Sequence, residues 1–354
     1  MLLQRLTPRR QIIAVLAALA AVNLVVWLLT IAAALHYLAF FGIAVTAYVF
    51  GLRHSIDADH ISAIDNATRR LMHDGQRPIA AGLFFSLGHS TVVFLLAGAI
   101  AAGSAAVAHG LLSAGSPLAR WGGTFGSAVS ALFLLVIAGM NIGVLRSILR
   151  MPKHAAGMDA SSGGADHDSG NEDRPSGLMT RLFGGLFRTI DRSWKMYPVG
   201  LLFGLGFDTA SEIGLLVVGS VAATKLALPL SAALLIPLLF TSGMALADTI
   251  DGMTMVGAYG SAVGNPDRRR FYNALITCAS ILSALLIAAL ELLQIAAARL
   301  RLGGAFWASI DRLGSGNASG LLGAAIVIVL LSSWGITLLI DRFLFRRDNP
   351  FAEG

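Results

Sequence analysis

Charged side chains are scarce in this sequence. Only 13% of its 354 residues are Asp, Glu, Lys or Arg, about half the share of an ordinary soluble domain, and that scarcity excludes a soluble globular enzyme. Disorder is excluded too, because it requires many charges and few apolar residues, whereas 56% of this chain is apolar. The single cysteine, Cys278, rules out an intrachain disulfide and a cysteine-based metal cluster, and its apolar surroundings argue against thiolate chemistry. Nucleotide motifs are missing as well: GSVAATKL, the nearest approach to a phosphate loop, lacks the second glycine and the trailing Ser or Thr. The remaining solvent for such a chain is the membrane.

A bilayer core about 30 Å thick needs roughly 20 apolar residues at 1.5 Å of rise each. Eight stretches qualify, at 11–34, 39–65, 78–102, 124–148, 196–222, 231–258, 270–298 and 319–342. The first follows Arg5, Arg9 and Arg10 as in a signal peptide, but its apolar run is too long for one and reads as a retained anchor. With the N-terminus inside, 20 of the 26 Lys and Arg fall on the cytoplasmic side. Five fall outside (Arg120, Lys225, Arg299, Arg301 and Arg312), and Arg53 lies within a span. This bias predicts eight spans with both termini cytoplasmic, in the cytoplasmic membrane. It also accounts for the net charge of +6 without invoking nucleic acid. Helices 1–4 would occupy 1–149, a flexible cytoplasmic loop 150–195, and helices 5–8 with the C-terminal tail 196–354. The loop is rich in Gly, Ser and Asp and cannot bury enough apolar area to order itself. Its His154, Asp166, His167 and Asp168 read as part of a solvated linker.

Polar groups interrupt four of the apolar stretches. The second runs into FGLRHSIDADHISAID, with Arg53, His54, Asp57, Asp59 and His60; the third carries His89 in FSLGHSTVV. The fifth holds Asp208 and Glu212 in LGFDTASEI, and the sixth Asp248 and Asp251 in GMALADTIDGM. Each ionised group at mid-bilayer costs roughly 2.5 to 3.5 kcal/mol, so the six carboxylates unpaired would cost about 15 to 20 kcal/mol. They must face one another, water or a cation. In a continuous helix His54, Asp57 and His60 fan across about 120° of one face, with Asp59 pointing away. Asp208 and Glu212 form an i, i+4 pair and Asp248 and Asp251 an i, i+3 pair, each presenting two carboxylates on one side. Counting residues from the helix starts brings all four motifs to one depth.

Neutral imidazoles with carboxylates and no thiolate suit a divalent first-row transition metal. Blander roles compete at single positions. Arg53 and Asp57 can form a buried ion pair, Asp65 can cap or face water near the helix end, and His89 can hydrogen-bond between helices. His36, His73 and His109 lie in or near loops and receive no role. Glycines at 51, 88, 204, 206 and 243 read as close-packing positions. FGLRHSIDADHI and FGLGFDTASEI share an FGL start followed by acids, a faint echo of an inverted repeat.

Together RHSIDADHI, FSLGHSTVV, LGFDTASEI and GMALADTIDG resemble the four signature motifs of the nickel/cobalt transporter (NiCoT) family. The resemblance implies an all-α integral membrane protein of eight transmembrane helices, with a polar metal site between helices 2, 3, 5 and 6. It further implies a secondary permease taking up Ni²⁺ or Co²⁺, and assigns His54, Asp59 and His60 of the first motif to transport. Ser55 stands where the family commonly has Ala, and Ser211 where it often has Thr. The candidate metal residues are therefore His54, Asp57, Asp59, His60, His89, Asp208, Glu212, Asp248 and Asp251. No catalytic residue, permanent cofactor or ATPase subunit is expected, and the partners are the transported ion and the lipid bilayer. Geometry favours Asp57 over Asp59 beside the two imidazoles, whereas the family motif stresses Asp59 with His60; an unwound segment at 53–60 would reconcile them. An exporter would use the same ligands, and an intramembrane zinc hydrolase similar ones, although no HExxH motif occurs.

Overall fold

A computed structural model describes residues 7–102, 117–150, 191–205, 228–260, 266–314 and 320–329, with isolated positions 212, 214–217, 219, 226, 318 and 332 between them. All regular structure among these residues is helical. In chain order the helices are α1 (Pro8–Ala34), α2 (Phe40–His54), α3 (Ala58–His73), α4 (Ala81–Ala101), α5 (Pro117–Arg150) and α6 (Met196–Phe203). They continue with α7 (Leu230–Ala233), α8 (Leu235–Gly260), α9 (Pro266–Leu300), α10 (Ala305–Gly314) and α11 (Gly320–Val329). Five segments are long and apolar enough to cross a membrane, namely Arg9–Ala34, Ala81–Ala101, Thr124–Arg146, Leu230–Gly257 and Thr277–Leu300. Their outward faces carry large apolar side chains: on α1, Val22, Leu24, Val25, Leu28 and Leu29 are all exposed. Such a face is stable in lipid and not in water. The chain is a multi-pass membrane protein.

Three of the eight expected spans take another form or lie partly outside the described residues. The stretch at 39–65 is two helices and not one. α2 ends at His54, and α3 begins after Asp57, whose extended backbone (φ −63°, ψ 144°) breaks the helical run. Asp is a favoured N-cap residue, yet this carboxylate makes no cap hydrogen bond; it turns back toward α2. Tight turns satisfy the backbone through the break, with the Ile56 N–H donating to the Arg53 carbonyl at 3.1 Å and the Asp57 N–H to the His54 carbonyl at 3.0 Å. The stretch at 196–222 is described as α6 and scattered positions, and that at 319–342 mainly as α11. Residues 151–190 of the central loop, with His154, Asp166, His167 and Asp168, lie outside the described residues, as do Arg5, His109, Gly206, Asp208 and Ser211.

Two groups of helices build the interior. α8 is central to the first and packs against α1, α2, α3 and α4. α3 and α8 run side by side in the same direction: His60 meets Asp248, and one turn later Ile64 reaches Gly252. α4 crosses α6 at glycines on both sides, where a Cβ on Gly88 would overlap the Tyr197 carbonyl oxygen and one on Gly200 that of Phe85. The second group is an antiparallel pair, α5 and α9. Ser130 Oγ donates to Glu291 Oε1 at 2.7 Å, and at one end Arg299 stacks 3.9 Å above the Trp121 ring.

A buried polar seam joins α3 to this pair. Asn66 Nδ2 donates to the carbonyls of Ser62 (2.8 Å) and Ser280 (3.3 Å), and Asn141 Nδ2 donates to Asn66 Oδ1 at 2.7 Å. Ser280 Oγ donates to Asp65 Oδ2 at 2.6 Å and accepts from Arg69 Nε at 3.2 Å, while Arg69 Nη1 donates to Thr277 Oγ1. Removing one partner from a buried network costs the desolvation of the groups left behind, roughly 1 to 3 kcal/mol. Ser280→Ala is therefore expected to lower the unfolding temperature of the detergent-solubilised protein, and an unchanged transition would mean that the seam contributes no stability.

Candidate metal centre

The break after His54 brings the first motif to a focus. His54 is the last residue of α2, and its buried side chain lies against Phe240 of α8, with ring centroids 5.6 Å apart. The chain then turns, and α3 returns His60 to the same place, fully buried, its ring centroid 4.5 Å from that of His54. His89 of α4 completes a triangle, 4.8 Å from His54 and 4.9 Å from His60. One ligand atom from each imidazole can be chosen so that all three lie within 4.8 Å of one another. The two rings of the first motif thus converge because the helix is interrupted, and not because they share one face.

Carboxylates enter from three directions. Glu212, fully buried, places Oε1 2.7 Å from His89 Nε2 and 3.9 Å from His54 Nε2; those two nitrogens are themselves 3.0 Å apart. Asp57 holds His54 from behind, with Oδ2 3.1 Å from Nδ1, and its Oδ1 pairs with Arg53 at 3.4 Å. Of the two roles the sequence left open for Asp57, the ion pair with Arg53 is present, and the same carboxylate also touches the imidazole of His54. Asp248 of α8, also fully buried, puts Oδ2 3.4 Å from His60 Nδ1 and accepts a hydrogen bond from Ser86 Oγ at 2.8 Å.

Two candidates stand aside from these contacts. Asp59 is half-buried in the first turn of α3 and makes no hydrogen bond or ion pair among the described residues. Asp251 lies one turn beyond Asp248 along α8; its buried Oδ2 has no hydrogen-bond partner among the described residues. Asp65 belongs to the polar seam and is fully buried, so it neither caps a helix nor faces water. Ser86 was not singled out by the sequence, although its position three residues before His89 places it on the same side of α4.

The donor geometry suits a small cation. Bonds of roughly 2.0 to 2.2 Å put neighbouring ligand atoms of a four- to six-coordinate site about 3 Å apart. The contacts of His89 Nε2 with Glu212 Oε1 and His54 Nε2, at 2.7 and 3.0 Å, have that scale. Neither nitrogen of His60 has a hydrogen-bond partner among the described residues, although both are buried. Buried polar atoms are normally satisfied, and a metal bond would satisfy one of the two.

Fold and centre together define a multi-pass helical membrane protein enclosing a cluster of imidazoles and carboxylates. Residues 40–340 match the family described as NicO, high-affinity nickel-transport protein, and the chain belongs to that family. It is 41% identical over 342 residues to the high-affinity nickel transport protein of Cupriavidus necator, covering 97% of this chain and 94% of the relative. It is 44% identical over 299 residues to the nickel transporter NicT of Mycobacterium tuberculosis (84% and 78% covered). It is 36% identical over 310 residues to the cobalt transport protein NhlF of Rhodococcus rhodochrous (87% and 84% covered). These relatives are transport proteins and not enzymes. No solved structure matches the chain significantly.

Proposed function

We propose that the chain is a secondary permease that carries Ni²⁺ or Co²⁺ inward across the cytoplasmic membrane. The observation that carries this reading is the convergence of His54, His60 and His89 from three helices, with Glu212 against two of them. The incoming ion exchanges water for three imidazole nitrogens and the Glu212 oxygen, and leaves toward the cytoplasm as the helices around it part. Imidazole and carboxylate serve Ni²⁺ and Co²⁺ alike, in keeping with relatives named for nickel and for cobalt.

The rest of the reading follows from charge and depth. Eight spans place both termini and the loop at 150–195 in the cytoplasm, where the Lys and Arg concentrate. Within that frame α3 and α8 descend together, so Asp251 and the Asp65 seam lie on the cytoplasmic side of the imidazoles. An inside-negative potential of 100 mV favours inward movement of a doubly charged ion by about 4.6 kcal/mol, so the electrical gradient alone supplies a driving force.

Uptake of ⁶³Ni²⁺ into intact cells tests the function. Cells expressing the protein accumulate label above the vector control, excess Co²⁺ suppresses the signal more than excess Mn²⁺ does, and His54→Ala loses it. Accelerated loss of preloaded label would instead indicate an exporter. Hydrolysis of lipid or peptide without any metal flux would indicate an intramembrane hydrolase.

A further inference from the structure

We propose that Ser86 is a positioning residue for metal capture: its hydroxyl anchors the Asp248 carboxylate, and Asp248 sets the ring of His60 so that Nε2 is left for the ion. The inference rests on the centre proposed above and assigns work within it. A metal-binding histidine uses one ring nitrogen for the metal and commonly gives the other to a carboxylate, which sets the ring's orientation. At His54 that carboxylate is Asp57, three residues away on the adjoining turn and pinned by Arg53. At His60 it comes from another helix, since Asp248 Oδ2 lies 3.4 Å from Nδ1. A partner on a separate helix needs its own fixing, and Ser86 supplies it from a third, donating to the same Oδ2 at 2.8 Å.

All three residues are fully buried, so water does not substitute for the hydroxyl. Both His60 nitrogens are buried without a hydrogen-bond partner among the described residues, but Nδ1 faces the Asp248 carboxylate at ion-pair distance, which leaves Nε2 for the ion. Ser86 and His89 sit on adjacent turns of α4, so one helix supplies a ligand directly and orients a second through Asp248. Asp248 thereby becomes an orienting carboxylate behind His60, as Asp57 is behind His54, and Glu212 is the carboxylate that faces the ion.

The test uses the full chain in lipid nanodiscs, titrated with Ni²⁺ and, separately, with Co²⁺ while its visible ligand-field bands are recorded. Ser86→Ala is expected to weaken Ni²⁺ binding about ten- to a hundred-fold, with the stoichiometry kept and the Co²⁺ bands displaced. Ser86→Thr, which keeps the hydroxyl, restores affinity to within about two-fold and returns the bands. A purely structural role would lower thermal stability in Ser86→Ala and leave the Co²⁺ bands of the folded fraction unchanged; that result overturns the proposal. His60→Ala runs in parallel. If it abolishes binding while Ser86→Ala binds as wild type, the role of Ser86 falls and the centre stands; if His60→Ala itself binds as wild type, the centre falls, and the proposal with it.

Discussion

His89→Ala is expected to reduce ⁶³Ni²⁺ accumulation to the level of cells carrying an empty vector. The substitution removes the nitrogen that meets both Glu212 Oε1 at 2.7 Å and His54 Nε2 at 3.0 Å. One of three imidazoles is lost, and the two that remain no longer close a triangle. A hundred-fold loss of affinity corresponds to about 2.7 kcal/mol, less than a metal–nitrogen bond in a water-poor site is expected to contribute. Glu212 also loses the imidazole nitrogen 2.7 Å from its Oε1 while remaining buried, so the amount of protein in the membrane must be measured beside uptake. His89→Gln keeps a polar side chain of similar reach and separates the two effects: normal protein level with no uptake assigns His89 to the ion. Substantial saturable uptake by either variant would remove His89 from the centre.

The second large effect comes from residues without side chains. Gly88 and Gly200 face backbone across the α4–α6 crossing, and a Cβ at either position would overlap a carbonyl oxygen. A flexible side chain can give way to such an intrusion, whereas a helix backbone cannot. Overpacking a tight interior costs typically 1 to 3 kcal/mol, and here the displaced element carries His89 one residue from Gly88. Gly200→Val should yield little folded protein by size-exclusion chromatography and no uptake per molecule recovered. Gly42→Val is the control, since nothing lies within 4 Å of the Cβ it adds, and it should keep wild-type yield and uptake. Equal behaviour of the two variants would mean that α4 and α6 do not cross as described.

Much of this architecture is legible in the sequence, for a simple physical reason. Ionisable residues within apolar runs are conspicuous, and their cost in lipid forces them together. That argument finds His54, His60, His89, Glu212 and Asp248 without knowing how the helices pack. It does not by itself locate the break at 55–57, which the sequence offers only as an unwound segment at 53–60 reconciling Asp57 with Asp59, because Ser55 and Ile56 fit an apolar helix and Asp57 alone hints at a cap. Nor does it say which carboxylate pairs with which imidazole, since the pairing of Asp248 with His60 depends on α3 and α8 running side by side in the same direction. The seam of Ser62, Asn66, Asn141, Thr277 and Ser280 is invisible to hydropathy because small polar side chains barely interrupt an apolar run. Ser86 escapes notice for the same reason, and only its contact with Asp248 reveals it.

Had α2 and α3 been one helix, the spacing of the first two imidazoles would be dictated by 3.6 residues per turn and would be as stiff as the helix itself. Instead it depends on an elbow of three residues, spanned by short backbone bonds from Ile56 and Asp57. The separation of those two rings is therefore set by the backbone angles of Ser55, Ile56 and Asp57 and not by helical pitch, so a residue inserted or deleted there would move one ring against the other while both helices keep their internal bonding.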